Sequence, residues 1–358
     1  MVVTQPTQTG FARSTPAQPT GADIGAGLIK ICIGSGSQQM KIRMPSKIVE
    51  IQEELDDILA DKDGGYFHYL SGDREDLIGR DFLVGSLASW KAPTSHIKLS
   101  DDPKLKAEYS LHILLGSLAT LPFRPEWNLH LVLSTHNREV FQEAVISKTQ
   151  GSHVINFGGK NARQTRVTLK VSLVVPEGVG AYAYCVSAQP EPLIDKTASA
   201  IAFDLGTGTT IVNVLAPGGS IIHRKVLEVG GCIGLLDSIA SDPELIQFLG
   251  TGKAGSIETI RQGIESQEFK YGTRNFDFQS IYLRQLKPWL TNRLRLALKE
   301  VEEWRDSAQS FVCWGGGAEL PGVAKVLSTK GITAVPDGCW ANAIGLQRMA
   351  EGRLNKGK

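Results

Sequence analysis

Apolar residues along this chain come in short runs broken by glycine-rich or charged stretches, the texture of strands joined by turns and helices. Residues 28–33 read as a strand, 34–37 as a turn, and 40–44 as a second strand with Lys41 and Arg43 alternating against apolar neighbours. A helix is expected over 51–59, then short strands within the Gly/Asp-rich stretch 61–79. Between 104 and 121, Leu111, Leu114, Leu115, Leu118 and Leu121 fall on one helical stripe. Residues 129–133 and 167–175 read as buried strands, the second preceded by a hairpin through Gly158 and Gly159. Pro190 and Pro192 punctuate the chain, and a second αβ region follows, with strands expected at 200–203, 211–215, 220–229, 311–314 and 332–335. The clearest helical pattern spans 288–304, with Pro288 suited to a first helical position and Leu290, Leu294, Leu298, Val301 and Trp304 on one face. Hairpins mixed with helix crossovers predict mixed sheets.

Residues 1–21 differ. They are rich in Thr, Gln and Pro, lack apolar periodicity, and read as a disordered tail. A length of 358 residues predicts two domains, and 42% hydrophobic residues supply ample core material. With 38 Lys+Arg against 37 Asp+Glu the net charge is +1, which argues against direct nucleic-acid binding by counterion release. Any DNA would be reached through an adaptor. No apolar run is long enough for a membrane span, and the N-terminus lacks the apolar segment of a secretory signal. The five cysteines are scattered, with no CxxC pair, which argues against a disulfide framework or zinc site and for a reduced, cytoplasmic location.

One sequence feature occurs twice. Asp23-Ile24-Gly25-Ala26-Gly27 and Asp204-Leu205-Gly206-Thr207-Gly208 are both D-x-G-x-G, and each leads into an apolar strand. Composition alone would produce roughly 0.2 such matches, so a pair is hard to assign to chance. An Asp ending a strand can orient Mg²⁺ or its water shell, and the glycines let backbone N–H groups approach phosphate oxygens. Lys30 on the first outgoing strand can return its ammonium to the β and γ phosphates, while Thr207, Thr209 and Thr210 offer hydroxyls on the second. Gly315, Gly316 and Gly317 follow a strand and form a flat surface for a planar base or an α-phosphate, although a simple strand-to-helix turn explains them equally well. Glu177, after Pro176 at a strand end, can polarise a water, but a surface Glu in a Pro-Gly turn is the simpler reading from the residues alone. The segment 250–256 superficially resembles a P-loop. It has Gln247 where the motif needs Gly, Ala254 where it needs a hydroxyl, and a helix before it instead of a strand. No histidine pair has metal-ligand spacing.

From about 22 to 350, the order of these motifs resembles the actin-like ATPase superfamily, shared by actin, the large heat-shock chaperones and sugar kinases, and within it the ParM-type plasmid-segregation actins. The resemblance implies an α/β, actin-like ATPase fold: two RNase-H-like domains with mixed sheets around a nucleotide cleft. It divides the chain into domain I at 22–190, with a small insertion at roughly 45–100, domain II at 191–340, and a C-terminal helix at 341–358 returning to domain I. It implies ATP/ADP and Mg²⁺ as ligands, with Asp23 and Asp204 holding the metal and Glu177 and Asp204 catalytic. Gly25, Gly27, Lys30, Gly206, Thr207, Gly208 and Thr209 would bind phosphates; Gly315, Gly316 and Gly317 match the adenosine loop, and Gly230 and Gly231 the glycine turn near the nucleotide. Asn342 and Gly345 resemble the family's last helix. The activity implied is ATP hydrolysis coupled to a dynamic homopolymer filament for plasmid segregation or another cytoskeletal role, with an adaptor partner. A sugar kinase and a chaperone-like ATPase are the rival activities. One departure stands out: the family places an apolar strand before the first Asp, whereas Pro19-Thr20-Gly21-Ala22 is poor strand material, so the first hairpin is expected to be short on one side.

Overall fold

The computed structural model describes residues 15–52, 64–158, 163–274 and 276–356. In the first half of the chain the strands are β1 (Gln18–Ile24), β2 (Leu28–Ile33), β3 (Met40–Pro45), β4 (Lys47–Ile51), β5 (Gly64–Gly72), β6 (Asp81–Gly85), β7 (Ile97–Lys98), β8 (Glu126–Thr135), β9 (Gly151–Asn156) and β10 (Gln164–Pro176). They form one sheet in the order β3-β2-β1-β8-β10-β9-β5-β6-β4-β7. The second half holds β11 (Ala200–Leu205), β12 (Thr210–Leu215), β13 (Ile221–Leu227), β14 (Ser310–Trp314) and β15 (Thr333–Ala334), in the order β13-β12-β11-β14-β15.

Those five strands repeat the first five of the larger sheet. In each, an antiparallel meander (β1 to β3, β11 to β13) is extended by two parallel strands, β8 and β10 in one and β14 and β15 in the other. Each D-x-G-x-G is therefore the turn between the first two strands of one copy. Strands β4 to β7, covering the expected insertion, extend the larger sheet beyond β9. Each lobe has its own apolar core: one around Phe67, Trp127, Leu129 and Leu131, the other around Phe203, Phe278, Tyr282 and Leu290. Burial of such side chains is the main force holding each lobe together.

The structure corrects the sequence reading at several points. The strand before Asp23 exists, and β1 starts at Gln18, so the expected tail boundary at residue 21 falls inside it. Its weak local propensity is overridden because β1 is paired on both sides, antiparallel to β2 and parallel to β8, and that pairing supplies what Pro19 and Gly21 lack. Residues 1–14 lie outside the described residues, as does most of the helix expected at 51–59. The pattern at 104–121 is two helices, Leu105–Glu108 and Ser110–Leu118, and every residue of the second is buried. Pro288 does not start a helix but sits inside Gln279–Glu300. The buried Ile281, Tyr282, Leu286, Trp289, Leu290 and Leu294 hold that helix against the core despite the lost backbone hydrogen bond. Among the described residues, no helix is long and apolar enough to cross a membrane.

Candidate nucleotide site

A cavity of about 320 Å³ is lined by both hairpin turns, one from each lobe, which approach each other closely at Gly27 and Thr207. Its walls include Asp23, Gly25, Gly27 and Lys30 from one lobe, and Asp204, Gly206, Thr207, Gly208 and Thr209 from the other. Glu177, Gly315 and Gly316 also line it. The fold thus brings most of the predicted site residues to one place. Gly230, Gly231 and Gly317 are not in the lining. Gly231 and its neighbours brace the second turn from behind: Gly231 N–H donates to the Gly208 carbonyl at 3.0 Å and Cys232 N–H to that of Gly206 at 3.0 Å. Gly317 packs on Leu205 and Cys232, and the Thr210 hydroxyl donates to the Gly230 carbonyl at 2.7 Å, which removes it from the cavity. Gly315 has φ +88°, and a Cβ there would lie 2.6 Å from the Leu205 carbonyl oxygen, so only glycine allows β14 to turn so close to β11. The P-loop look-alike at 250–256 lines neither this cavity nor the second one described below.

Strand register explains the chemistry. Asp23 lies opposite Lys30 across β1 and β2, and the Lys30 ammonium donates to Asp23 Oδ2 at 3.3 Å. The equivalent partner of Asp204 is Ile211, so the second hairpin has the carboxylate without the cation. Asp23 Oδ1 accepts from the Asn342 amide at 2.8 Å and from the Ser134 hydroxyl at 3.3 Å. Asn342 is carried on the helix Ala341–Lys356, so the last helix helps to aim the first carboxylate. For Asp204, burial is the largest influence and the Asp23 charge adds to it, pushing its carboxyl up to about 7. Burial works to lower the Lys30 pKa, but the Asp23, Cys339 and Asp204 charges outweigh it and the net direction is upward.

Glu177 follows β10 directly, and its N–H is tied to the Thr135 carbonyl at 3.0 Å. Lys106 donates to Glu177 Oε1 at 2.7 Å, and Arg224 donates to its main-chain carbonyl at 2.7 Å and to Oε2 at 3.4 Å. Lys106 and Arg224 were not legible as site residues, because each is far from Glu177 in sequence and neither belongs to a motif. A second cavity of about 590 Å³ adjoins the first and shares Leu28, Thr207, Gly316 and Cys339 with it. Arg43, Arg261, Glu265 and Glu319 also border it, and Glu319 accepts from Cys339 N–H at 2.7 Å.

This donor set fits a hydrated divalent cation with phosphates. Two carboxylates from opposite lobes face one cavity, and burial, with the Asp23 charge adding to it, raises the pKa of Asp204, a cost that a cation would relieve. Among the described residues no cluster of three or more His, Cys, Asp or Glu could hold a metal ion.

Two lobes of repeated topology around a cleft floored by paired glycine turns define the actin-like ATPase fold. Residues 21–180 match the family described as actin like proteins N terminal domain. Over nearly the whole chain the fold is similar to that of actin-like protein Alp7A, at 16% identity and a TM-score of 0.70, covering 94% of this chain and 97% of that one. ParM from Bacillus thuringiensis in its apo form matches at 15% identity and a TM-score of 0.61, covering 96% and 98%. A 15-stranded ParM filament from Clostridium botulinum matches at 17% identity and 0.66, covering 94% and 100%. Comparison with curated proteins finds no match. The chain therefore resembles the ParM-type actin-like proteins, as the sequence motifs implied.

Proposed function

We propose that this protein is a cytoplasmic Mg-ATPase that assembles into a filament of its own subunits and releases them after hydrolysis. The convergence of both D-x-G-x-G turns, one from each lobe, on a single cavity with Lys30 and Glu177 at its wall carries this reading. The turns' backbone N–H groups and Lys30 would cradle the β and γ phosphates, and Asp23 and Asp204 would hold Mg²⁺ through its waters. When bound, that ion neutralises charge developing on the phosphates. Glu177 would orient the attacking water and accept its proton; positioning, more than covalent chemistry, sets the rate. The second cavity, continuous with Gly316, has room for the nucleoside. Head-to-tail contacts that do not close on themselves generate a filament, and a cleft closed by ATP is a natural switch for such contacts. A role in moving plasmid DNA through an adaptor fits the near-neutral net charge.

Light scattering and pelleting with Mg-ATP, Mg-ADP or EDTA test this directly. Assembly with Mg-ATP that reverses as phosphate is released is the expected result. Phosphorylation of glucose or glycerol without assembly would instead make the chain a sugar kinase, and absence of nucleotide binding would end the ATPase reading altogether.

A further inference from the structure

Glu177 and Arg224 belong to different lobes, and their contact is one of the places where the lobes touch. Glu177 ends the β10 side of the first lobe. The next residue, Gly178, faces the second, where a Cβ would lie 3.7 Å from both the Asn213 amide and the Trp314 ring. Arg224 sits on β13 opposite Asn213. Strand alternation places its neighbour His223 on the other face, where His223 pairs with Glu300 at 2.9 Å and stacks on Trp304. Arg224 is thereby turned toward the cleft, where its guanidinium lines the cavity beside the glycine turns. It grips Glu177 at two points, the carbonyl oxygen at 2.7 Å and Oε2 at 3.4 Å. Lys106, from the same lobe as Glu177, holds the other carboxylate oxygen at 2.7 Å. All three side chains are mostly shielded from solvent, with 14% to 21% of their surface exposed, so these contacts are weakly screened.

From this arrangement we propose that Arg224 is a positioning residue that couples lobe closure to hydrolysis: the guanidinium from the second lobe aims Glu177 only when the lobes are together. The proposal rests on the ATPase reading above and assigns the regulation of that site. Lys106 moves with Glu177 and cannot report closure, whereas Arg224 moves with the opposite lobe. When the lobes part, the two hydrogen bonds from Arg224 are lost and Glu177 keeps only its lysine. A carboxylate held at one oxygen is free to swing, and loss of aim of about an ångström costs on the order of 100-fold in rate. The planar fork is suited to this grip because it holds a carbonyl and a carboxylate at once; a lysine in its place would hold one.

The experiment is a double-mutant cycle on the full chain, using Arg224→Ala, Arg224→Lys, Glu177→Gln and the combined Arg224→Ala/Glu177→Gln, with single-turnover phosphate release and binding of a fluorescent ATP analogue. Expected is a fall in the hydrolysis rate of roughly 10–100-fold for R224A with nucleotide affinity retained. R224K should fall between R224A and the parent. In the Glu177→Gln background, removing Arg224 should cost less than about twofold more, since both changes disable one device. Additive losses would make Arg224 a direct phosphate ligand and overturn the proposal, as would an R224A variant that hydrolyses at the parent rate or loses affinity alone. If the parent protein binds no ATP or fails to hydrolyse it, the ATPase reading falls first and this proposal with it. Retention of the parent's circular dichroism and melting transition by R224K makes its rate interpretable even if R224A misfolds.

Discussion

At the scale of single residues, the cleft is a set of charges held in unlike environments. Glu177 is clamped by two cations, Asp23 by a lysine, an amide and a hydroxyl, and Asp204 by none of these. Glu177→Gln keeps the shape and removes the proposed base. It should lower phosphate release by roughly 10²–10⁴-fold while nucleotide binding, followed with the fluorescent analogue, stays near the parent value. Away from the cleft, His112 and His153 are buried, and burial pushes their pKa values down to about 3 and about 4 from 6.5. Between those values and 6.5 the unfolded chain binds more protons than the folded one. The stability they support is therefore complete above pH 6.5 and declines as pH falls toward 4 and then 3. Denaturation midpoints measured at pH 7.5 and pH 5 should differ accordingly. His112→Leu should flatten that slope, since His112 Nδ1 has no hydrogen-bond partner to lose and its ring already packs against Phe82 and Tyr109. Much of the cleft was legible beforehand because Asp23, Asp204 and their glycines are local patterns. Lys106 and Arg224 were not, since contacts made across the fold leave no periodic or spaced trace.

At the scale of elements, legibility depended on whether a segment's fate was decided locally. The strands β2, β12 and β14 have apolar runs that declare themselves, and the structure places them close to the expected limits. Strand β1 does not, because two neighbouring strands impose its conformation. The start of the helix Gln279–Glu300 was hidden by a proline that burial of the helix face overrides. The helices Val179–Val186 and Ala341–Lys356 show the same principle in their crossing. Gly180 and Gly345 meet there, and a Cβ on Gly345 would run into the Gly180 carbonyl. Gly352 lies on the same helix, is exposed, and has open space around it. One substitution should thus have opposite signs about two turns apart. Gly345→Ala is expected to destabilise by about 3 kcal/mol, and Gly352→Ala to stabilise by up to about 1 kcal/mol through helix propensity. Thermal melts of the two variants against the parent check this, and a Gly345→Ala protein as stable as the parent would mean that the helices do not cross there.

At the scale of the whole molecule, the two lobes are joined by covalent connections, by apolar packing of Ala181, Tyr182 and Cys185 against Ala200, Leu215 and Trp314, and by polar contacts that depend on their separation. Arg43 on β3 of one lobe pairs with Glu265, the last residue of the helix Ile257–Glu265 of the other, at 2.7 Å. Both border the second cavity, so the pair bridges the lobes at the proposed nucleoside pocket. About a third of each side chain is exposed, and an ion pair in that position contributes no more than about 1 kcal/mol. The pair is therefore a weak latch that nucleotide can reinforce, not a lock that keeps the lobes shut without it. Arg43→Glu sets two carboxylates against each other and should weaken ATP-analogue binding severalfold at low salt. Adding Glu265→Arg restores the attraction with its direction reversed, while Arg261 keeps its other partner, Glu258. Recovery of affinity in the double variant, and convergence of all three proteins near 0.5 M salt where the Debye length shrinks to a few ångströms, is the expected pattern. Binding that stays weak in the double variant would show that Arg43 serves the pocket by itself, without its partner across the cleft.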